Sequence, residues 1–341
     1  MYSAVNQKLA GTGHLDNLYV SIVGTTPRVK CFGYKVTYKA HVCDNYTMEL
    51  TDIRQSDEWS EYLKLYGWVS YKLSSGAVFR VGQAGPLRFG KLHRPAVLGT
   101  SEVAELQELA KKCKLTSLKI SPGLDSQTVF LEQAGFKACV AVDLSPSTLV
   151  VDLELGEDEL WRSFSKVCRW AINKSQRAFD RVEILQSPTR KHVEDYYRIV
   201  ASRGAKKGFY VQSLQDQLRK VEVFKDKAFI LNVYTKSGDI LGTKLFLGFR
   251  DAIWYMHGGI TDRGQKSTGG YLLIWESIKR FKTLGYKVFD FESVSDTRLK
   301  KLTKNWAGYT GFKLQFGGKL VVYPLPVVRY YGLLSILNPL V

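Results

Sequence analysis

The spacing of apolar positions changes several times along the chain. Alternation over Leu18 to Val23 and Lys35 to Val42, with turns at Gly24 and Thr26-Pro27, predicts short strands near the N-terminus. From Asp57 the period lengthens. Trp59, Tyr62, Leu63 and Tyr66 then share one side of a helix that ends at Gly67. Strands are expected between Trp68 and Lys91, with Ser74-Ser75-Gly76 at a hairpin turn. A helix over Ser101 to Cys113, a strand over Ser117 to Ser121 and a helix over Ser126 to Ala134 complete the first half, which closes on Gly135-Phe136-Lys137.

The second half repeats this order at larger scale. A helix is predicted from Glu157 to about Phe179, with Leu160, Trp161, Phe164, Val167, Cys168 and Ala171 as its apolar stripe. Arg162, Lys166, Arg169 and Asn173 recur at helical spacing on the opposite face and form a basic ridge. Three strands follow, Ala228 to Tyr234, Ile240 to Gly248 and Ala252 to His257, as an antiparallel meander. A helix from about Gly269 to Leu284 buries Ile274, Ile278 and Phe281 and is capped by Gly285. A strand over Lys287 to Phe291, a helix over Thr297 to Trp306, and a last strand opened by Gly311-Phe312-Lys313 are expected to finish the pattern. Because both halves end in helix, strand, helix and Gly-Phe-Lys, an internal duplication is indicated. Meander, helix, strand, helix, strand is the order of the GNAT-like acyltransferase fold, so the class expected is α/β (α+β) with two tandem domains, each a mixed, mostly antiparallel sheet flanked by helices. The boundaries expected are 1–150, joined by 319–341, and 151–318.

Composition narrows the chemistry. Forty-nine Lys and Arg against 32 Asp and Glu leave a net charge of +17, enough to attract polyanions. The excess is local: Leu160 to Tyr210 holds twelve basic and four acidic side chains, and Arg263 to Lys319 again twelve and four. The five cysteines (Cys31, Cys43, Cys113, Cys139, Cys168) contain no C-x-x-C pair, which argues against a disulfide framework or zinc ribbon and for a reducing, cytoplasmic setting. The five histidines (His14, His41, His93, His192, His257) are scattered, so no metal site is expected. No stretch reaches the roughly 18 apolar residues of a spanning helix. The apolar segment Val327 to Val341 leaves a peripheral contact with the inner face of a membrane open.

An acetyltransferase binds the coenzyme A pyrophosphate on backbone amides at a helix N-terminus, through a loop patterned [RQ]-x-x-G-x-[GA]. Arg263-Gly264-Gln265-Lys266-Ser267-Thr268-Gly269-Gly270 is glycine-rich and basic but out of register with that pattern, which makes coenzyme A the alternative donor. A closer likeness lies in Pro146 to Leu153, then Glu159-Leu160-Trp161, then Arg169 with Ile172 and Lys174. Trp254 to Gly259, Leu272 to Trp275, Gly285, Phe289-Asp290-Phe291, Gly311-Phe312-Lys313 and Phe316-Gly317-Gly318 continue it in order. This series resembles the Fem family of non-ribosomal peptidyltransferases, over about half the chain.

The resemblance implies an aminoacyltransferase that takes an amino acid from aminoacyl-tRNA and forms an amide on an amine of a peptidoglycan precursor, with no further cofactor and as a monomer. Both implied substrates are polyanions, in keeping with the charge. Lys313 matches the lysine that works at the tRNA end, where it would hold a phosphate or stabilise the oxyanion as the amine attacks the ester. Phe312 accompanies it in the motif, although its parallel with Phe136 equally marks a core aromatic. Lys64 and Arg203 are the best matches for acceptor contacts, with Tyr210 beside Arg203 and Tyr255 at a strand end. Arg162, Lys166, Arg169 and Lys266 are candidates for tRNA or other anions, Arg169 with backbone support as its other reading. His257 is the one histidine near the expected cleft and a candidate base. The family usually has a glycine near Glu292. Two other readings stay open: an acyl-coenzyme A N-acyltransferase acting on a sugar or peptide amine, and a non-catalytic RNA-binding protein.

Overall fold

The computed structural model describes residues 50–124 and 128–340. The expected strands Leu18 to Val23 and Lys35 to Val42, together with Cys31, Cys43, His14, His41 and the start of the Ser126 helix, lie outside the described residues.

In chain order, a short 3-10 turn (Ile53–Gln55) leads into α1 (Asp57–Lys64), where Ser56 accepts a hydrogen bond from the Trp59 amide and so caps the helix. The strands β1 (Val69–Lys72), β2 (Val78–Ala84) and β3 (Leu87–His93), α2 (Thr100–Lys112), β4 (Ser117–Ser121), α3 (Val129–Gln133) and β5 (Lys137–Ala138) follow. Next come β6 (Ser147–Asp152), α4 (Glu157–Ser163), α5 (Lys166–Ala178), β7 (Arg181–Gln186), α6 (Arg190–Lys207) and α7 (Leu214–Phe224). The meander is β8 (Ala228–Tyr234), β9 (Ile240–Phe249) and β10 (Ala252–Ile260). The chain continues through α8 (Asp262–Lys266), α9 (Gly269–Thr283), β11 (Val288–Ser293), α10 (Lys300–Thr303), α11 (Ala307–Leu314), β12 (Lys319–Val322) and β13 (Val327–Tyr330), and ends in a 3-10 segment over Gly332–Leu340.

Two mixed sheets result, six strands ordered β1-β2-β3-β4-β13-β5 and seven ordered β12-β6-β11-β10-β9-β8-β7. Each contains one parallel pair, β3 with β4 and β10 with β11, and is otherwise antiparallel. Phe79, Leu92, Leu106, Ile120, Leu131 and Phe136 fill the core of the first sheet. The second sheet is covered on both faces. Along β9, Phe246 packs with Phe281 of α9 and Cys168 of α5, while Leu245 and Leu247 pack with Tyr196 of α6 and Trp59 of α1. The C-terminal segment serves both sheets, since β12 pairs with β6 and β13 with β4 and β5. Among the described residues no helix is long and apolar enough to cross a membrane.

Three expectations change. The helix expected over Glu157 to Phe179 is two helices: Ser165 takes an extended conformation and caps α5 by accepting from the Cys168 amide. Between Arg181 and Phe224 the structure has a strand and two helices that the apolar pattern did not indicate. Gly311-Phe312-Lys313 opens no strand; it forms the last turn of α11. Phe312 and Phe316, four residues apart, both turn toward Tyr271, and the amide of Ser295 ties to Thr310 Oγ at 2.9 Å, which fixes the helix on the end of β11. The matching Gly135-Phe136-Lys137 does open a strand, so the two triplets are alike in sequence and different in conformation.

The helix ends where Gly317 and Gly318 adopt positive φ, and a Cβ on Gly318 would lie 2.4 Å from the Val150 carbonyl oxygen. This close approach is what lets β12 start against β6. Gly318→Ala is therefore expected to destabilise the protein by more than about 1 kcal/mol, read as a lowered urea midpoint; an unchanged midpoint would show that the turn tolerates a side chain.

Candidate active site

The parallel strands β10 and β11 stop pairing before they end. Ala252, Ile253 and Trp254 face Val288, Phe289 and Asp290, and beyond this level the strands part, although β10 runs to Ile260 and β11 to Ser293. A bulge between Tyr255 and His257 bends β10 there. On β11 the pairing with β6 shifts between Asp290 and Ser293, and Glu292 sits at φ 61°. Asp290 stabilises this kink by accepting from the Glu292 amide at 2.6 Å and from the Thr148 hydroxyl. The glycine expected from the resemblance near position 292 thus coincides with a backbone that glycine adopts readily and glutamate rarely.

Parting leaves carbonyls of β11 without strand partners. Lys313 reaches across from α11 and donates to the carbonyls of Phe291 at 2.6 Å and Ser293 at 2.7 Å. Only 7% of Lys313 is exposed, and burial pulls its pKa down from 10.5 to about 7, against the opposing pull of Glu292 and Asp290. A second lysine, not anticipated from the sequence, stands beside it. Lys244 of β9, 6% exposed, donates to the Tyr255 hydroxyl at 2.8 Å and lies over the rings of Tyr255 and Phe312 at 4.3 and 5.4 Å. Burial lowers its pKa to about 7 as well. The available signal was one charge in an otherwise apolar strand, Leu241-Gly242-Thr243-Lys244-Leu245-Phe246-Leu247. The rings of Tyr255, Phe291, Phe316 and Phe312 contact one another in series beside the two lysines, so both ammonium groups sit against aromatic faces.

The N-terminal residues complete the electrostatics. Arg54 pairs with Glu292 at 2.7 Å and with Asp52 at 3.3 Å, while Arg94 pairs with Asp52 at 3.0 Å and covers the Tyr323 ring. Asp290 is pushed up to about 7, first by burial and then by Glu292. His257 falls to about 3 through burial and the charges of Lys220, Lys313 and Arg54, which weakens it as the candidate base.

The other anticipated residues do not converge on the opening. Lys64 is exposed on α1 and paired with Glu61 at 3.3 Å. Arg203 bonds Asp262 and Gln265 at the edge of a 770 Å³ cavity between α6 and the β8–β9 hairpin, lined also by Lys206, Tyr234 and Asp239. Tyr210 is exposed beyond the end of α6. Arg169 donates to the carbonyls of Arg162 and Phe164 at 3.2 and 2.6 Å and closes the end of α4, the backbone role already weighed for it. With the helix broken at Ser165, the exposed stripe runs Lys166, Trp170, Lys174 and on to Lys266, whose carbonyl accepts from Lys174 at 3.2 Å. Arg162 lies apart on α4, with its guanidinium on the Asp158 carbonyl. In the Arg263 to Gly270 segment the amides of Ser267, Thr268 and Tyr271 donate to Arg263, Gln265 and Thr268 carbonyls. Thr268 is also held by Ser175 and Ala171 of α5.

No family model matches the chain. A curated relative, the lipid II:glycine glycyltransferase of Staphylococcus haemolyticus, is 24% identical over 204 residues, which are 50% of this chain and 48% of that protein. The chain thus spans about half the length of that relative. Among solved structures, the crystal structure of FemX superposes with a TM-score of 0.67 at 14% identity, over 85% of this chain and 94% of FemX. L-PGS from Bacillus licheniformis gives 0.57 at 14% identity, over 84% and 97%. The likeness read from the motifs and the two-sheet acyltransferase architecture are borne out together.

Burying Lys244 ties stability to pH. Between pH 7 and 10.5 the unfolded chain holds a proton that Lys244 has shed in the folded state, so stability rises across that window, and the cost of its burial is complete below pH 7. Lys244→Met removes that cost. Its stability relative to wild type should be most favourable near pH 6 and decline toward pH 10 in urea melts; a difference independent of pH would contradict the depressed lysine.

Proposed function

We propose that this chain is an aminoacyltransferase of the Fem type, a reading that its likeness to FemX in fold and to a lipid II:glycine glycyltransferase in sequence supports. It moves an amino acid from aminoacyl-tRNA to an amine of a peptidoglycan precursor and forms an amide. The observation that carries this reading is Lys313, buried and hydrogen-bonded to two main-chain carbonyls where β10 and β11 part. A fixed cation at this opening suits the carbonyl oxygen of an ester under attack, whose negative charge grows in the transition state. An aminoacyl ester is already activated, so positioning, this cation and one proton transfer suffice for the chemistry.

The stripe of Lys166, Trp170, Lys174 and Lys266 is the tRNA contact in this reading: cations for phosphate, and an exposed indole on which a base stacks. Arg203, which lines the 770 Å³ cavity, together with Tyr210 and Lys64, is assigned to the anionic acceptor. The coenzyme A alternative is disfavoured because the Arg263 to Gly270 segment is out of register with the loop that binds a pyrophosphate at a helix N-terminus, Gln265 lying four residues before Gly269. A purely RNA-binding role leaves the two buried lysines unexplained. We assign the enzyme to the cytoplasm as a monomer that touches the inner membrane face through the C-terminal turn, where Leu333 is 93% and Ile336 74% exposed.

The test is transfer of labelled amino acids from a panel of charged tRNAs to nucleotide-linked and lipid-linked muropeptides. Labelled product supports the proposal; tRNA binding without transfer supports the RNA-binding reading, and saturable acetyl-coenzyme A binding in the absence of tRNA supports the other donor. Lys313→Met should lose roughly 10²–10³-fold in transfer rate while its circular dichroism stays native, and a wild-type rate would remove Lys313 from the site.

A further inference from the structure

The transfer needs a base, because the acceptor amine arrives as an ammonium ion and cannot attack until it loses a proton. His257 is too weakly basic in its surroundings. Asp290 is occupied, accepting from Thr148 and the Glu292 amide in the kink of β11. Glu292 is paired with Arg54 and Lys313 donates to two carbonyls, which leaves Lys244 as the candidate.

Lys244 and Lys313 lie against the same ring, 4.3 and 5.7 Å from the Tyr255 centroid. Like charges so placed repel in a poorly hydrated site. Their partners differ: Lys313 donates to two carbonyls, which favour its ammonium form, while Lys244 donates to one phenol and, among the described residues, pairs with no carboxylate. The lysine that sheds its proton more readily is therefore Lys244. The backbone makes room for this pair. Gly258 lies opposite Lys244 on β10, and a Cβ there would come within 2.6 Å of the Tyr255 hydroxyl and 2.9 Å of Lys244 Cγ. The titratable and charged groups around the site are Tyr255 and His257 on β10, Lys313 on α11, Asp290 and Glu292 on β11, Tyr271 on α9, Tyr196 on α6, Lys220 on α7 and Arg54 before α1.

We propose that Lys244, held by the Tyr255 hydroxyl beside the fixed cation Lys313, is the catalytic base that takes the proton from the attacking amine; the inference rests on the aminoacyl-transfer reading. The neutral Lys244 amine takes one proton from the acceptor ammonium. The freed amine attacks the ester carbonyl carbon, a C–N bond forms, and the developing oxyanion faces Lys313. The ester C–O bond then breaks, the ribose oxygen leaves with the second proton of the attacking nitrogen, and Lys244 passes its proton to water. One amide, one ribose hydroxyl and one released proton balance the step.

The experiment compares single-turnover transfer by wild type, Lys244→Met and Lys244→Arg across pH 5.5 to 9. Lys244→Arg keeps a cation but cannot act as a base near neutrality. The wild-type rate should fall on the acid side with a midpoint near 7, and both variants should be slower by at least about 10² with native circular dichroism. Ethylamine added to Lys244→Ala should restore part of the rate. Wild-type activity in Lys244→Arg, or a wild-type profile flat down to pH 5.5, overturns the inference while leaving the transferase reading intact. No transfer by wild type from any charged tRNA overturns both.

Discussion

Parallel strands that part midway leave main-chain carbonyls that must find donors, and the end of the second sheet is arranged around that requirement. The donor is an ammonium group, which can serve two carbonyls at once. Bringing it there requires α11 to cross the end of β11, anchored by Thr310 and by the ring contacts of Phe312 and Phe316. The chain must then return at once to the sheet, and the Gly317-Gly318 turn lays it against β6. A change in any of these parts reaches the others through Lys313.

The same arrangement sets the electrostatics of the opening. Two lysines against aromatic faces have little water to disperse their charge, so their protonation responds to burial. Balancing carboxylates come from β11, and they are steered by the N-terminal residues, since Arg54 holds Glu292 while Asp52 holds both Arg54 and Arg94. Thus Asp52 and Arg54, which precede the first sheet, help set the field in a site built on the second. Breaking one member of such a buried network leaves its partner uncompensated, which ties the site to the packing of the two sheets.

Elements with a strong apolar period were legible in the sequence. The meander, α9 with Ile274, Ile278 and Phe281 inside, and α1 with Trp59, Tyr62 and Leu63 inside all appear as the spacing implied. α6 and α7 were missed because charges dominate their surfaces and their buried positions include Tyr196, Gln217 and Lys220, which carry weak apolar signal. The break at Ser165 depends on one hydroxyl finding one amide, and Arg169 then sealing the end of α4, neither of which periodicity encodes. At the site, the motif drew attention to Lys313 but gave it the wrong secondary structure, since a glycine before an aromatic fits a strand start as well as a helix interior. Lys244 gave only the local oddity of a cation among apolar residues. Its importance depends on Tyr255 and Lys313, eleven and sixty-nine residues away in the chain.

The placement of β13 bears on how the protein is made. This strand lies between β4 and β5, both of which leave the ribosome about two hundred residues earlier. Until residues 327–330 emerge, the first sheet ends at β4, whose open edge faces whatever is nearby, and the two-residue β5 has no strand to pair with. The first sheet therefore cannot be completed ahead of the second, as vectorial synthesis would otherwise allow. The half-built sheet must wait for the last strand, a vulnerable interval in which chaperone capture or mispairing competes with completion.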